Sequence, residues 1–213
     1  MVKPAHSSQI FSQDVGYGAI FEAARILNSF REKLAGVGDL TFNPGIIAGG
    51  TRVDFQAKSA SAQVFGKTNV VAKELSIRGG IRASTQAELQ NSKAVMQDIV
   101  DKNLPHTSAI LEFAEGYPPM APTVGNYKLL SLYSEVSESL GYGPVVAVNP
   151  RNAGAADISF TADHVDMALD GLGLMGSGGH TKDEVADMTS FNKNMHKAAI
   201  LIYRLGQLNS DSH

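Results

Sequence analysis

The chain has 213 residues, 43% of them hydrophobic, with 18 basic and 21 acidic side chains and a formal net charge of −3. That is enough apolar material for a real core, and Lys and Arg form no stripe interleaved with aromatics, which argues against nucleic acid as a partner. No run approaches the roughly 18 apolar residues of a membrane span, residues 1–15 lack the plan of an export signal, and the absence of cysteine excludes disulfides and thiolate metal sites.

In chain order, Ile20, Ala23, Ala24, Ile26, Leu27, Phe30 and Leu34 recur at helical spacing and predict an amphipathic helix over 18–34, closed by the punctuation GVGD. Residues 40–48 read as a strand. So do 69–82, through Val71, Leu75, Ile77 and Ile81. A second helix is predicted over 85–100, with Thr85 as N-cap and Glu88 at the capping-box position. Residues 108–115 supply a further strand. The order helix, strand, strand, helix, strand is a split βαβ unit without its opening strand, and Met1 to Ala5 are too few to provide one. Either another segment completes the sheet or another subunit does.

The run EGYPPMAPTVGN then marks a domain crossing, which divides the chain into 1–115 and 116–213. Beyond it the pattern predicts a helix over 127–140, short buried strands over 145–148 and 165–169, and a terminal helix over 192–205. Met195, Ala199, Ile202 and Leu205 lie on one face of that last helix. The class is α/β, with a second half too thin to be a complete domain. No internal repeat is present, and the tail NSDSH reads as disordered.

The segment GSGGHTKDEVADM presents His180 from a glycine-rich turn, where backbone can approach a ligand closely and an imidazole can serve a metal. One histidine is not a metal site, since zinc takes three or four ligands. The plainer reading is a turn histidine.

Several segments together carry a resemblance: KPAHSSQIFSQDVGYGAIFEAARIL, TNVVAKELSIRGGIRA, NAGAADISF and GLGLMGSGGHTKDE. They look like the dinuclear zinc peptidases and amidohydrolases that include glutamate carboxypeptidase, acetylornithine deacetylase, succinyl-diaminopimelate desuccinylase and aminoacylase. The resemblance spans nearly the whole chain but only the family's second half. It implies a ferredoxin-like lid that dimerises, followed by the closing part of an α/β catalytic domain.

In the terms of that resemblance, His6 matches the lid histidine that crosses a dimer interface and helps polarise the scissile carbonyl; the plainer reading is a surface histidine beside a Ser-Ser turn. Asn69 and Arg82 match the amide and guanidinium that hold the substrate carboxylate, while Arg82 alone would be a solvated strand end. Gly154 and Asp157 match a Gly-x-Ser-Asp loop beside the substrate, with Ala156 in place of the serine and Ala153 in place of a preceding glycine. His180 matches the terminal zinc ligand, and Thr181 and Glu184 agree with its HTxxE pattern.

The family's first half brings a His-x-Asp pair, a bridging aspartate, a Glu-Glu pair containing the general base and one more acidic ligand. None has a counterpart before His6. His164-x-Asp166 does not replace them, because it falls on the apolar strand leading into GLG and no Glu-Glu pair occurs in the chain. Glu112 and Glu115, three apart in a strand, point to opposite faces.

The expected function is therefore that of a C-terminal fragment of a zinc-dependent carboxypeptidase or deacylase acting on peptides or N-acyl amino acids. Two zinc ions would be bound in the complete enzyme, the lid would form a homodimer, and little hydrolysis is expected from the fragment alone. The alternatives are a non-catalytic dimerisation module and a small-molecule sensor that uses GSGGH as an anion-binding turn. Compartment, cytoplasmic or periplasmic, and side-chain selectivity stay open.

Overall fold

Ala23, Ile26, Phe30 and Leu34 fall on one stripe of a helix, and in the structure that stripe is the buried one. The structure is a computed structural model that describes residues 5–179 and 181–210. Two units are present, Met1–Pro119 and Met120–His213. The architecture is mixed α/β, with small antiparallel sheets and helices.

In the first unit, helix α1 spans Gly18–Leu34. It ends where the Ala35 N–H bonds the Arg31 carbonyl and Gly36 turns at φ +82°. Strand β1, Thr41–Gly50, follows, and pairs antiparallel with a later strand, Glu74–Arg82. The ladder runs from Thr41 opposite Arg82 to Gly50 opposite Glu74, with its register shifting between Pro44 and Ile46. Pro44 has no N–H to give, so an irregularity here costs little. Gly79 lies opposite, where a Cβ would meet the Asn43 carbonyl.

Between these strands sits a hairpin, β2 (Arg52–Gln56) and β3 (Ser61–Phe65), which makes Glu74–Arg82 the fourth strand, β4. The polar run around AKSASA hides the hairpin in the sequence. The expected strand over 69–82 begins only at Glu74, because 68–69 turn and 71–73 pass beneath the start of α1. There the Ala19 N–H bonds the Ala72 carbonyl at 2.9 Å and Val71 is buried.

Helix α2, Gln86–Val100, starts at Thr85, whose Oγ1 accepts from the Glu88 N–H at 3.1 Å. The reciprocal capping-box bond goes one residue further back, from the Ser84 N–H to Glu88 Oε2 at 2.8 Å. The core of the unit unites Ile26, Phe30 and Leu34 with Leu40, Met96, Ile99 and Val100. Segment 108–115 is extended with Ala109, Leu111 and Phe113 packed inward, while Ile110 is 89% exposed. It joins no ladder among the described residues, so the expected strand has the alternation of a strand without its pairing.

In the second unit, α3 (Val124–Ser139) is capped by Thr123, whose Oγ1 accepts from the Asn126 N–H at 3.1 Å. It packs on α4 (Met188–Ser210) through Tyr133, Val136 and Leu201. The predicted terminal helix thus begins earlier, at the point where Asp187 Oδ1 accepts from the Thr189 N–H at 2.9 Å. Its inner face differs in part from the expected one: Leu205 packs against the core as expected, and the other three expected positions are exposed. Ser190, Asn194 and Leu201 are buried, while Met195 and Ile202 are 49% and 70% exposed. Two polar residues turn inward because they have partners: Asn194 Nδ2 donates to the Gly173 carbonyl and Ser190 Oγ accepts from the Met175 N–H.

The expected strands over 145–148 and 165–169 are extended but unpaired among the described residues, with Val146 77% and Val148 65% exposed. Val145 and Leu169 pack on the helices, and Ala168 is buried with its N–H donating to Asn126 Oδ1 of α3 at 2.8 Å. The strand pair of this unit lies elsewhere, as a hairpin of β5 (Met175–Ser177) and β6 (Val185–Asp187).

Candidate functional site

At one end of β4 the chain brings His6 and Asn69 side by side. His6 faces Val70 in an antiparallel bridge, and the Ser7 N–H donates to the Asn69 carbonyl at 2.9 Å. The His6 ring is exposed, and its Nδ1 accepts from the Ser8 N–H at 3.3 Å and contacts Ser8 Oγ at 2.9 Å. A backbone N–H can only donate, so the neutral imidazole carries its proton on Nε2. That leaves Nε2–H as a donor without a partner among the described residues, the chemistry an oxyanion requires.

The following loop is held by Phe11 at φ +69°, its N–H bonded to the Gly16 carbonyl at 2.7 Å and its ring edge-on to Tyr17 and Phe21. A cavity of about 460 Å³ lies beside it, lined by Ser7, Ile10, Tyr17, Phe21, Lys67 and Val70 among others.

Arg82 is exposed at the other end of β4, opposite Thr41. Asn69 lies beyond the Gly50–Glu74 end, where the Lys73 N–H bonds the Gly50 carbonyl. Eight steps of strand separate Glu74 from Arg82, about 26 Å at about 3.3 Å per residue. Within one copy, Asn69 and Arg82 therefore do not close on one carboxylate.

In the second unit, Gly154 lies in an exposed loop after the turn Pro150–Asn152, with open space where a Cβ would stand. Ala156 precedes the turn Asp157–Phe160, its carbonyl accepting from the Ser159 N–H at 3.0 Å. His180 lies outside the described residues. Its neighbours form the loop between β5 and β6. Thr181 donates through N–H and Oγ1 to the Gly178 carbonyl at 3.1 and 2.6 Å, and accepts at Oγ1 from the Asp183 N–H at 3.2 Å. Gly178 sits at φ +71° with the Asp183 carbonyl where a Cβ would be, so this turn requires glycine.

Among the described residues no three His, Asp or Glu side chains are placed to hold a metal ion. His164 closes a short turn, Ala162–His164, and does not gather carboxylates around it. The described residues thus do not form a zinc cage by themselves.

The sequence reading missed a buried carboxylate. Glu22 is 3% exposed and carries a charge-paired bond from Arg25 at 2.5 Å. It also accepts from the Leu104 N–H at 2.9 Å and Thr107 Oγ1 at 3.0 Å. Its position on the inner face of an amphipathic helix, three residues before an arginine, was the available signal. Burial works to raise its pKa, and the bonds from Arg25, Leu104 and Thr107 outweigh that and lower it.

Residues 3–108 match the family described as the peptidase dimerisation domain. Among solved structures, the chain is similar to aminopeptidase PepT from Bacillus cereus, at 19% identity and a TM-score of 0.67, with 94% of this chain and 48% of that chain covered. It is also similar to a tripeptidase from Staphylococcus aureus, at 18% identity and a TM-score of 0.63, again with 94% and 48% covered. The chain thus spans about half the length of these structures. No curated protein matches.

Proposed function

We propose, from the membership of residues 3–108 in the peptidase dimerisation domain family, that this chain is the lid-bearing C-terminal half of a peptidase or N-acyl amino acid hydrolase, inactive until the other half completes it. The observation that carries the reading is the pairing of an exposed His6, with its proton on Nε2, and Asn69 at one end of β4. In this reading the His6 N–H polarises the scissile carbonyl and steadies charge on its oxygen, a contribution of about 3 kcal/mol in comparable oxyanion donors. Asn69 and Arg82 bind the substrate carboxylate, the guanidinium offering two parallel donors.

Because those two residues stand at opposite ends of β4, the clamp needs two copies of the lid, with Asn69 from one and Arg82 from the other. A homodimer is then part of the site. Gly154 leaves room for substrate in the second unit. Zinc is the metal the resemblance implies, and His180 is its one candidate ligand here. The remaining ligands and the general base belong to the other half.

The test is hydrolysis of N-acyl amino acids and glutamyl dipeptides, with calorimetric zinc titration of the chain and of His180→Ala. Little zinc binding and no turnover are expected from the chain alone. Turnover is expected from an in-frame fusion to a complementing half, falling at least 100-fold in His6→Ala. Tight, His180-dependent zinc binding with turnover by the chain alone would overturn the reading.

A further inference from the structure

The β1–β4 sheet has two faces, and α1 and α2 pack on one of them. Ile81 and its ladder partner Phe42 join the core on that side. Alternation along β4 then places Glu74, Arg78, Gly80 and Arg82 on the outer face, where Asn43 stands opposite Gly80 and Thr41 opposite Arg82.

The hairpin β2–β3 lies over one end of this outer face. The Val53 N–H donates to Glu74 Oε2 at 3.0 Å, and the Arg78 guanidinium stands over the Phe55 ring, 5.0 Å from its centroid. β2 therefore advances along β4 in the direction of Arg82, and the cover stops at Arg78. Residues 74–77 are half-buried, whereas Arg78, Gly80 and Arg82 are exposed.

The uncovered part is cationic. Glu74 is the only carboxylate in β1 and β4, and it is engaged by the Val53 N–H. Among the described residues neither Arg78 nor Arg82 is ion-paired with a carboxylate. A guanidinium placed over a ring is held through the ring's electron-rich face, which leaves its fork of N–H donors available to a ligand. Between the two arginines Gly80 presents no side chain, and nothing lies within 4 Å of where its Cβ would stand. Four residues of strand set the two Cα atoms about 13 Å apart, at about 3.3 Å per residue. Two arginine side chains close that span by leaning onto one molecule that carries an anionic group at each end.

We infer that Arg78, held by Phe55 of the hairpin, is a second anion-binding residue beside Arg82, so that the outer face of β4 takes a dicarboxylate with one carboxylate on each guanidinium. Each planar fork offers two parallel donors, a better match to a carboxylate than a lysine. The inference rests on the reading of Arg82 as part of the carboxylate clamp and narrows its substrate class. The residue whose main-chain carboxylate sits on Arg82 carries a side-chain carboxylate as well. Arg78 then determines specificity and takes no part in bond cleavage.

The test is calorimetric and NMR titration of the chain, at low and constant ionic strength, with glutarate and with pentanoate, which has the same carbon chain and one carboxylate fewer. Glutarate should bind at least tenfold more tightly and shift the amides of 78–82. Arg78→Gln should abolish that advantage and leave pentanoate unaffected, whereas Arg82→Gln should weaken both. Phe55→Leu should weaken glutarate alone. Amide exchange over α2 reports that each variant is folded. Equal affinity for the two anions would overturn the inference, as would glutarate binding that is indifferent to Arg78→Gln or to Phe55→Leu. An equal loss in Lys33→Gln, at the exposed end of α1, would also overturn it, because the attraction would then be diffuse. The readout needs no catalysis. A chain that holds glutarate through Arg78, joined to a half that never yields turnover, would therefore reject only the peptidase reading. Turnover by the completed enzyme with a chain that fails to distinguish glutarate from pentanoate would reject only this inference.

Discussion

Glu22 shows how much one side chain can hold. Its carboxylate accepts bonds from Arg25, the Leu104 N–H and Thr107, and Arg25 in turn donates to the Ile99 carbonyl, so α1 is tied to the end of α2 and the chain after it. Removing one partner of a buried charge pair leaves the other unpaired in a poorly solvated place. Glu22→Ala should therefore cost about 3 kcal/mol in urea unfolding at neutral pH. The pH dependence follows from the direction of its shift. A folded pKa below the usual 4.5 means that the unfolded chain binds more protons as pH falls. The stabilisation is then complete above about pH 4.5 and is lost as pH drops through the folded value. Glu88 is lowered in the same direction; burial opposes the shift, and bonds from Ser84, Asp39 and Leu40 outweigh it. In Glu22→Gln the acid loss of stability should be shallower than in the parent, which urea midpoints at pH 7 and pH 3.5 would show.

At the scale of elements, the caps and the inner faces carry the stability. Thr85→Ala removes the acceptor for the Glu88 N–H and should cost about 1 kcal/mol. Neighbouring residues on α4 should behave oppositely. Leu201, 4% exposed against α3, should cost about 3 kcal/mol as Leu201→Ala, whereas Ile202→Ala, at a site 70% exposed, should stay within about 0.5 kcal/mol. Chemical denaturation of the two variants decides which face packs. The expected face of Met195, Ala199, Ile202 and Leu205 was drawn from apolar residues alone. The observed face includes Ser190 and Asn194, whose partners come from 173–175, and no local pattern in the helix announces those.

For the molecule as a whole, extended segments that are unpaired among the described residues of both units, and exposed apolar side chains such as Ile110, Val146 and Ile202, leave adhesive surface. Sedimentation should show a mass that rises with protein concentration above the 22.6 kDa of one chain. A monomer at all concentrations would remove the dimer from the proposed function, and with it the clamp divided between Asn69 and Arg82.

Sequence alone determined what depends on near neighbours. The helix over 18–34 is legible because its stripe repeats every three or four residues, and the Thr85 cap because its acceptor lies three residues from its donor. The order of elements carried the split βαβ unit, local motifs such as KPAHSS and GSGGHTKDE carried the lid resemblance, and the turn bearing Gly178 falls in a run of glycines. Tertiary structure alone decided the rest. It set His6 beside Asn69, put Arg82 at the far end of β4, left 108–115 extended but unpaired among the described residues, and replaced two expected strands of the second unit with the hairpin at Met175–Asp187. The physical reason is that a strand is completed by a partner distant in sequence. Alternation of side chains shows which residues face inward, but it holds no record of whether a hydrogen-bonding edge lies alongside.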